Sequence, residues 1–306
     1  AASEAEASLL TASVEMLRED GFAVDVFEPD AAGDVLGDRL RRGLVGCLSE
    51  GGGVGLINPG DAVCSPVEVV RRVAAPVRRR VREGEGVVSI EREGDGVRVR
   101  SAGLVVTARA ALVCTNAWAG ELLPELRGRV VPNRGQMLVV DSRPIADGDR
   151  AALSMAYYMD CGADYIREVG GGMVAVGGRR RAFESEERTA LDEPTAGVQR
   201  KLEELVADVF GRRLPVVHRW AGVMGFTGTG LPFAGPVSGT DGDRVWAVAG
   251  FTGHGMSLGA EVSCAAVEAL ARVDSRGGGD GDGRQGGDGL AGSGVLGIMR
   301  GADRGV

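Results

Sequence analysis

Gly255-Met256-Ser257-Leu258-Gly259 has the Gly-x-Ser-x-Gly spacing of a nucleophilic serine, and it follows a short apolar run, Val245–Ala249. A serine hydroxyl attacks only when a base in reach takes its proton, and in an α/β hydrolase the histidine follows the serine in chain order. Both histidines of this chain, His218 and His254, precede Ser257. Small residues at a helix start account for the match better than a hydrolase does. The five cysteines (Cys47, Cys64, Cys114, Cys161, Cys264) form no Cys-x-x-Cys pair, and two histidines do not make a histidine-rich cluster, so no metal is expected. The remaining candidate is the turn Gly250–Gly255, GFTGHG, between that apolar run and a helical pattern. Such a turn leaves backbone N–H groups without partners at the positive end of a helix, and its glycines let a flat or anionic group approach the main chain. The same geometry also serves as a plain connection.

The elements around the turn follow from periodicity. Leu258, Val262, Ala265, Ala266, Ala269 and Leu270 recur at helix spacing and predict one buried face. Ser3 with Glu6 has capping-box spacing ahead of a helix whose stripe is Leu10, Val14 and Leu17. Phe22–Phe27 alternates as a short strand, and Gly51–Gly60 is expected to be a loop. Ser65-Pro66-Val67-Glu68 starts a second helix, with Val69, Val70 and Val73 expected to face inward and Pro76 to end it. Val87–Glu91 and Val97–Ser101 flank a Gly-Asp-Gly turn as a hairpin. Leu104–Thr107 and Ala110–Thr115 follow as strands, the second apolar enough to be expected buried on both faces. Further strands are expected at Asn133–Asp141, Asp164–Glu168, Met173–Gly177 and His218–Phe226, with an amphipathic helix over Ala196–Phe210. From Asp274 to Val306 glycine, aspartate and arginine dominate, which predicts a disordered tail over 273–306.

Composition narrows the class. Hydrophobic content of 44% and charged content of 25% fit a globular domain, and the net charge of −8 argues against nucleic acid or an anionic membrane as partner. Of 35 basic residues only Lys201 is a lysine, a bias toward arginine without clustering into a phosphate site. No apolar run reaches the roughly 18 residues of a membrane span. Dispersed, odd-numbered cysteines suit a reducing compartment, so a cytoplasmic location is expected. The start, AASEAEASLL, carries no basic signal region and reads as the middle of a protein. No GxGxxG unit follows a first strand anywhere, so the Gly250 turn is expected to be the last element of a dinucleotide-type fold and not the first.

With GFTGTGLPFAGP (Gly225–Pro236) ahead of it, GFTGHGM (Gly250–Met256) resembles the C-terminal signature of the FAD-dependent amine and amino-acid oxidoreductases of the D-amino-acid oxidase family. Leu56–Gly60, the Val87–Val99 hairpin, Leu112–Pro124, Val131–Leu138, Asp164–Gly178 and Arg219–Gly228 are similar to family segments in the same order, covering roughly residues 1–272. The resemblance implies an α/β fold: an FAD-binding lobe of Rossmann type, incomplete here at its N-terminal side, and an α+β substrate lobe on a mainly antiparallel sheet. It implies FAD as cofactor and a small amine or amino acid as substrate, with oligomeric state undetermined.

Carried onto this chain, the resemblance places Gly250, Phe251, Thr252, Gly253, His254, Gly255 and Met256 against the pyrimidine end of the flavin ring. It places Val87 at the adenine, and Thr115 and Asn116 near phosphate and ribose. His254 and Tyr158 are the candidate catalytic residues. Trp118 and Trp220 are expected in the core, and Arg134 and Gln136 as sheet supports. Glycine-oxidase-like members carry carboxylate-binding arginines where this chain has Met224 and Gly253, which points to a larger amine or an N-substituted substrate, with Arg167 and Arg179 as possible substitutes. The implied reaction is dehydrogenation of a C–N bond. The alternatives are a catalytically inert portion or binding protein lacking the ADP-binding half and, more remotely, a hydrolase using Ser257.

Overall fold

Alternation along one long strand sets the largest sheet. In Val131–Asp141, residues Arg134, Gln136, Leu138 and Val140 are buried while those between them stay half exposed, the pattern of a strand with one packed face. The protein is described by a computed structural model covering residues 4–27, 55–145, 153, 155–240 and 243–277. Its principal elements begin with α1 (Glu4–Glu19), β1 (Asp25–Phe27), β2 (Gly55–Ile57) and α2 (Pro66–Ala74). Next come β3 (Val87–Glu93), β4 (Gly96–Ser101), β5 (Val105–Ala108), β6 (Ala111–Val113) and β7 (Val131–Asp141). Then follow β8 (Tyr157–Met159), β9 (Asp164–Gly170), β10 (Met173–Gly177) and α3 (Ala196–Phe210). The order closes with β11 (Val216–Phe226), β12 (Phe233–Pro236), β13 (Val245–Ala249) and α4 (Gly255–Gly277).

The chain divides into two compact units. One comprises Ala1–Ser65, Gly135–Glu187 and Leu191–Gly222; the other comprises Pro66–Arg134, Arg188–Ala190 and Val223–Val306.

The first unit is built on a sheet of order β11-β7-β10-β9-β8, antiparallel at β7–β10, β10–β9 and β9–β8. Register places Leu138, Val176, Ile166 and Tyr157 in one cross-strand row. That face packs on Val198, Leu202, Leu205, Val206 and Val209 of α3, all buried. Gly211, at φ 63°, ends α3 in the left-handed conformation that glycine adopts without a Cβ penalty. The adjacent row, Met137, Gly177, Tyr165 and Tyr158, points to the opposite face. Gly177 is obligatory there, because a Cβ would lie 2.3 Å from both Met137 Sδ and Tyr165 Cε2.

Beneath α3 runs a buried polar network. Gln136 Nε2 donates to Glu187 Oε1 (2.9 Å) and Thr195 Oγ1 (2.8 Å), while Gln136 Oε1 accepts from Thr195 N–H (2.8 Å). Gln136 and Glu187 are fully buried, so these bonds fix the start of α3 against the sheet.

In the second unit β13 pairs parallel with β6 and antiparallel with β12, and β3-β4-β5 form an antiparallel sheet of their own. Val97, Val113, Leu123, Leu126, Val130, Val245 and Ala247 share one core. Val262 and Ala266 of α4 pack with Val248 of β13. Arg92 of β3 reaches Asp243 just before β13 with two bonds, Nε to Oδ1 at 2.9 Å and Nη2 to Oδ2 at 2.8 Å. Asp243 also accepts the Ser238 and Val245 N–H groups. Burial opposes its ionisation, but the guanidinium and the backbone donors prevail and hold the carboxyl well below the usual range.

Several expectations are corrected. Gly55–Ile57, expected as loop, is a strand because it pairs antiparallel with β1. Val69, Val70 and Val73 are exposed at 38%, 62% and 73%, since nothing among the described residues packs on that side of α2. The α-helix ends at Ala74, ahead of Pro76 as expected, and the chain goes on as a 3-10 turn over Ala75–Arg80 that was not expected. β6 packs on both faces, Ala111 and Val113 against one core and Leu112 against another, but it ends at Val113, and Cys114 and Thr115, expected to continue it, are exposed. β8 carries no strong alternation and was not anticipated. α4 continues past Val273 to Gly277, and the remainder of the expected tail lies outside the described residues, as does Ser3 of the expected capping box. Glu6 is buried and accepts the Cys161 N–H.

Candidate functional site

Because β13 and β6 run parallel, the turns that follow them lie side by side, the position where open α/β sheets bind ligands. Asn116, left-handed at φ 46°, extends its side chain to the turn after β13, where Oδ1 accepts the Gly250 N–H at 2.9 Å. Gly250 is itself left-handed (φ 76°), and a Cβ there would come within 2.4 Å of Thr227 Cγ2. Thr252 has φ 49°, a rare conformation for a β-branched residue, and its surroundings over-determine it. Its N–H donates to Gly225 O (2.8 Å), and its Oγ1 accepts the Thr227 N–H (3.3 Å) and donates to Gly250 O (3.3 Å). Gly225 closes the arrangement: a Cβ would lie 2.5 Å from Asn116 Oδ1 and 3.1 Å from Ala117 N. The inner end of the turn is sealed by the chain's own atoms.

The outer end is open. Gly253, His254, Gly255, Met256 and Ser257 are exposed, and a Cβ added at Gly253 would meet only Met224 Sδ, at 3.9 Å. Among the described residues no acceptor meets the N–H groups of Gly253, Gly255 or Met256. They stand at the N-terminus of α4, 23 residues long with no acidic residue in its first turn, so partial positive charge gathers there. His254 turns Nδ1 toward Thr252 O (3.0 Å), which fixes the ring with Nδ1 as donor. Ser257 Oγ donates to His254 O (3.0 Å), a local capping contact and not a serine–histidine pair. The geometry gives the serine no base. Cys114 is exposed at the residue level, yet the atoms packed around its sulfur partly desolvate the thiol and push it up, away from nucleophilic activation.

The structure brings Asn116 and Gly250–Met256 together. Thr115 is exposed beside them and its carbonyl accepts the Trp118 N–H at 3.1 Å. Val87 opens β3 in the other sheet of the unit, 42% exposed, with no contact to the turn among the described interactions. Tyr158 belongs to the first unit, is 74% exposed, and has its ring 6.1 Å from that of Tyr165. Burial pushes the neighbouring Tyr157 hydroxyl up to about 12, so it stays protonated. Trp118 is 42% exposed and not a core residue, whereas Trp220 is half buried and stacks on His218 at 5.7 Å. Arg167 Nη1 donates to Cys64 O (2.8 Å) and Arg179 pairs with Asp164 (3.5 Å), so both cations are already engaged. No group of metal-ligating side chains occurs among the described residues, and no described helix is long and apolar enough to cross a membrane.

The roles of Gly225 and Thr227 went unanticipated. Their signal was present: GFTG occurs twice, at Gly225–Gly228 and Gly250–Gly253, and the two copies bond to each other.

Comparison with known proteins agrees with this geometry. The model of the DAO family, FAD dependent oxidoreductase, matches residues 1–267. The chain is 28% identical over 255 residues to a glycine oxidase of Bacillus licheniformis, covering 80% of this chain and 59% of that protein. It is 26% identical over 214 residues to a probable oxidoreductase, OrdL, of Rhizobium meliloti (strain 1021), covering 67% and 46%. The chain thus spans about half the length of the curated relatives it matches. Among solved structures, glycine oxidase from Geobacillus kaustophilus superposes with a TM-score of 0.67 at 20% identity, covering 90% of this chain and 69% of that one. L-proline dehydrogenase from P. horikoshii gives 0.67 at 17% identity, with 90% and 70% covered. These likenesses show the α/β fold. The family match over most of the chain establishes the rest: this chain belongs to the DAO family of FAD-dependent oxidoreductases.

Proposed function

We propose that the chain takes part in FAD-dependent oxidation of a C–N bond in an amine or amino acid. The observation that carries this is the two-ended Gly250–Ser257 turn, sealed inside by Asn116, Gly225 and Thr227 and open outside at Gly253–Met256. A flat ring edge fits such a turn, because Gly253 presents main chain with no side chain in the way. Bound there, FAD would supply acceptance of a hydride from the carbon bearing the amine, with hydrolysis of the resulting imine and reoxidation by O2 or another acceptor completing the reaction.

The chain's own contribution is electrostatic and positional. The open N–H groups of Gly253, Gly255 and Met256, with the α4 dipole, would stabilise negative charge at the ring edge. His254, oriented through Nδ1, would present Nε2 for hydrogen bonding or proton transfer. Thr115 and Asn116 would border the phosphate and ribose region and Val87 the adenine. In the first unit Tyr158, beside Tyr165, Gly177 and Met137, would contact the substrate through its hydroxyl. Met224 and Gly253 in place of arginines favour a larger amine or an N-substituted substrate over a compact amino acid. A cytoplasmic location belongs to the same proposal and rests on the dispersed cysteines.

A second reading is an inert portion or binding protein. It is favoured by the outer edge of β6, which has no ladder partner among the described residues. One experiment separates the two: purify the 306-residue chain, titrate it with FAD, and follow flavin absorbance and dye reduction with glycine, sarcosine, proline and longer N-alkyl amines. Bound yellow flavin and reduction by at least one amine are expected. A colourless chain that leaves FAD fluorescence unquenched defeats the oxidoreductase reading and favours the second.

A further inference from the structure

Three separate segments of the second unit converge on one oxygen atom, Asn116 Oδ1. It accepts the Gly250 N–H at 2.9 Å, and the missing side chain of Gly225 makes room for it, since a Cβ there would intrude to 2.5 Å. Asn116 itself is left-handed (φ 46°), a conformation asparagine tolerates and that sends its amide across to β13's turn. Aspartate could accept the same N–H. It would also set a negative charge next to the open N–H groups of Gly253 and Gly255 and cancel part of their field. A neutral amide oxygen holds the turn without that penalty.

We propose that Asn116 is the positioning residue of the flavin turn: it fixes Gly250, and through Gly250 the left-handed Thr252 and Gly253, so that the outer N–H groups are pre-aimed. This rests on the flavin reading above. It differs from the role the resemblance implies, because the side-chain oxygen is spent on the protein's own backbone and not on the cofactor.

The test compares N116G, N116D and G225A in the full chain by FAD affinity, hydrogen exchange of the Gly250 amide, and the two-electron potential of bound flavin. N116G keeps the left-handed backbone and loses the acceptor. About tenfold weaker FAD binding, equal to ~1.4 kcal/mol, is expected together with faster Gly250 exchange. N116D should retain Gly250 protection and shift the potential to more negative values. G225A, by displacing the same amide, should reproduce N116G. Parental FAD affinity in N116G, or a Gly250 amide that stays protected in it, would overturn the proposal while leaving the flavin reading intact. If N116G fails to fold, N116D decides: an unchanged potential overturns the proposal. Absence of FAD binding by the unsubstituted chain defeats the flavin reading and this proposal with it.

Discussion

Replacing Asp243, at the opposite end of β13 from the Gly250 turn, by asparagine should destabilise the second unit. Each carboxylate oxygen serves two donors: Oδ1 takes Arg92 Nε and the Val245 N–H, and Oδ2 takes Arg92 Nη2 and the Ser238 N–H. An asparagine must turn its NH2 toward one of these pairs, so two donors face a donor whichever way the amide is flipped. The side chain of Asp243 is 2% exposed, which keeps water from repairing the loss, whereas Arg92 is 45% exposed and can recover some hydration. One charge-assisted bond at about 1.5–3 kcal/mol, plus a partly hydrated orphan donor at about 1 kcal/mol, gives a cost of about 3 kcal/mol.

Urea unfolding should show a lower midpoint with an unchanged slope. A double-mutant cycle with Arg92→Met should return a coupling of about 1.5–3 kcal/mol. The pH dependence has a definite sign. The folded pKa is depressed, so the stabilisation is complete above the unfolded value of about 4 and is lost as pH falls toward the folded one. D243N should lack that component of acid sensitivity. A D243N stability within about 0.5 kcal/mol of the parent, the range of ordinary surface changes, would refute the account.

Three further outcomes are expected. Gln136→Leu removes a donor from the buried Glu187 and the acceptor of the Thr195 N–H, and should cost about 2–4 kcal/mol by denaturant titration. Gly177→Ala forces Met137 and Tyr165 apart and should lower the melting temperature by an amount equivalent to about 1–3 kcal/mol, with a changed near-UV signal from the tyrosines. Ser257→Ala should leave amine-dependent dye reduction intact, and a fluorophosphonate probe should label neither protein, because Ser257 Oγ is bonded to a carbonyl and has no base.

Strong periodicity was legible. Val198, Leu202, Leu205, Val206 and Val209 recur at helix spacing, and Ala196–Phe210 folds as expected with all five buried. The site was legible as a segment and less so as a mechanism of assembly. GFTGHG marked the turn, but its inner seal depends on Asn116 and Gly225, and the Asn116 bond joins residues 134 apart in sequence. No local pattern encodes such a contact. The valines of α2 misled for a related reason: helix spacing shows that a face is apolar, and only tertiary structure decides whether anything covers it. β8, three residues long, owes its existence to pairing with β9 and not to its own composition.

The reciprocal bonding of the two GFTG copies has a kinetic side. Between Thr227 and Thr252 lies only the β12–β13 hairpin, so that staple closes a short loop and incurs little entropic penalty. The Asn116 bond encloses a far longer span and waits until β6 has docked beside β13. We expect a nascent chain to hold a formed hairpin and helix while the Gly250 amide is still exchanging freely. Protection of that single amide would then report the last step by which the turn becomes competent to bind.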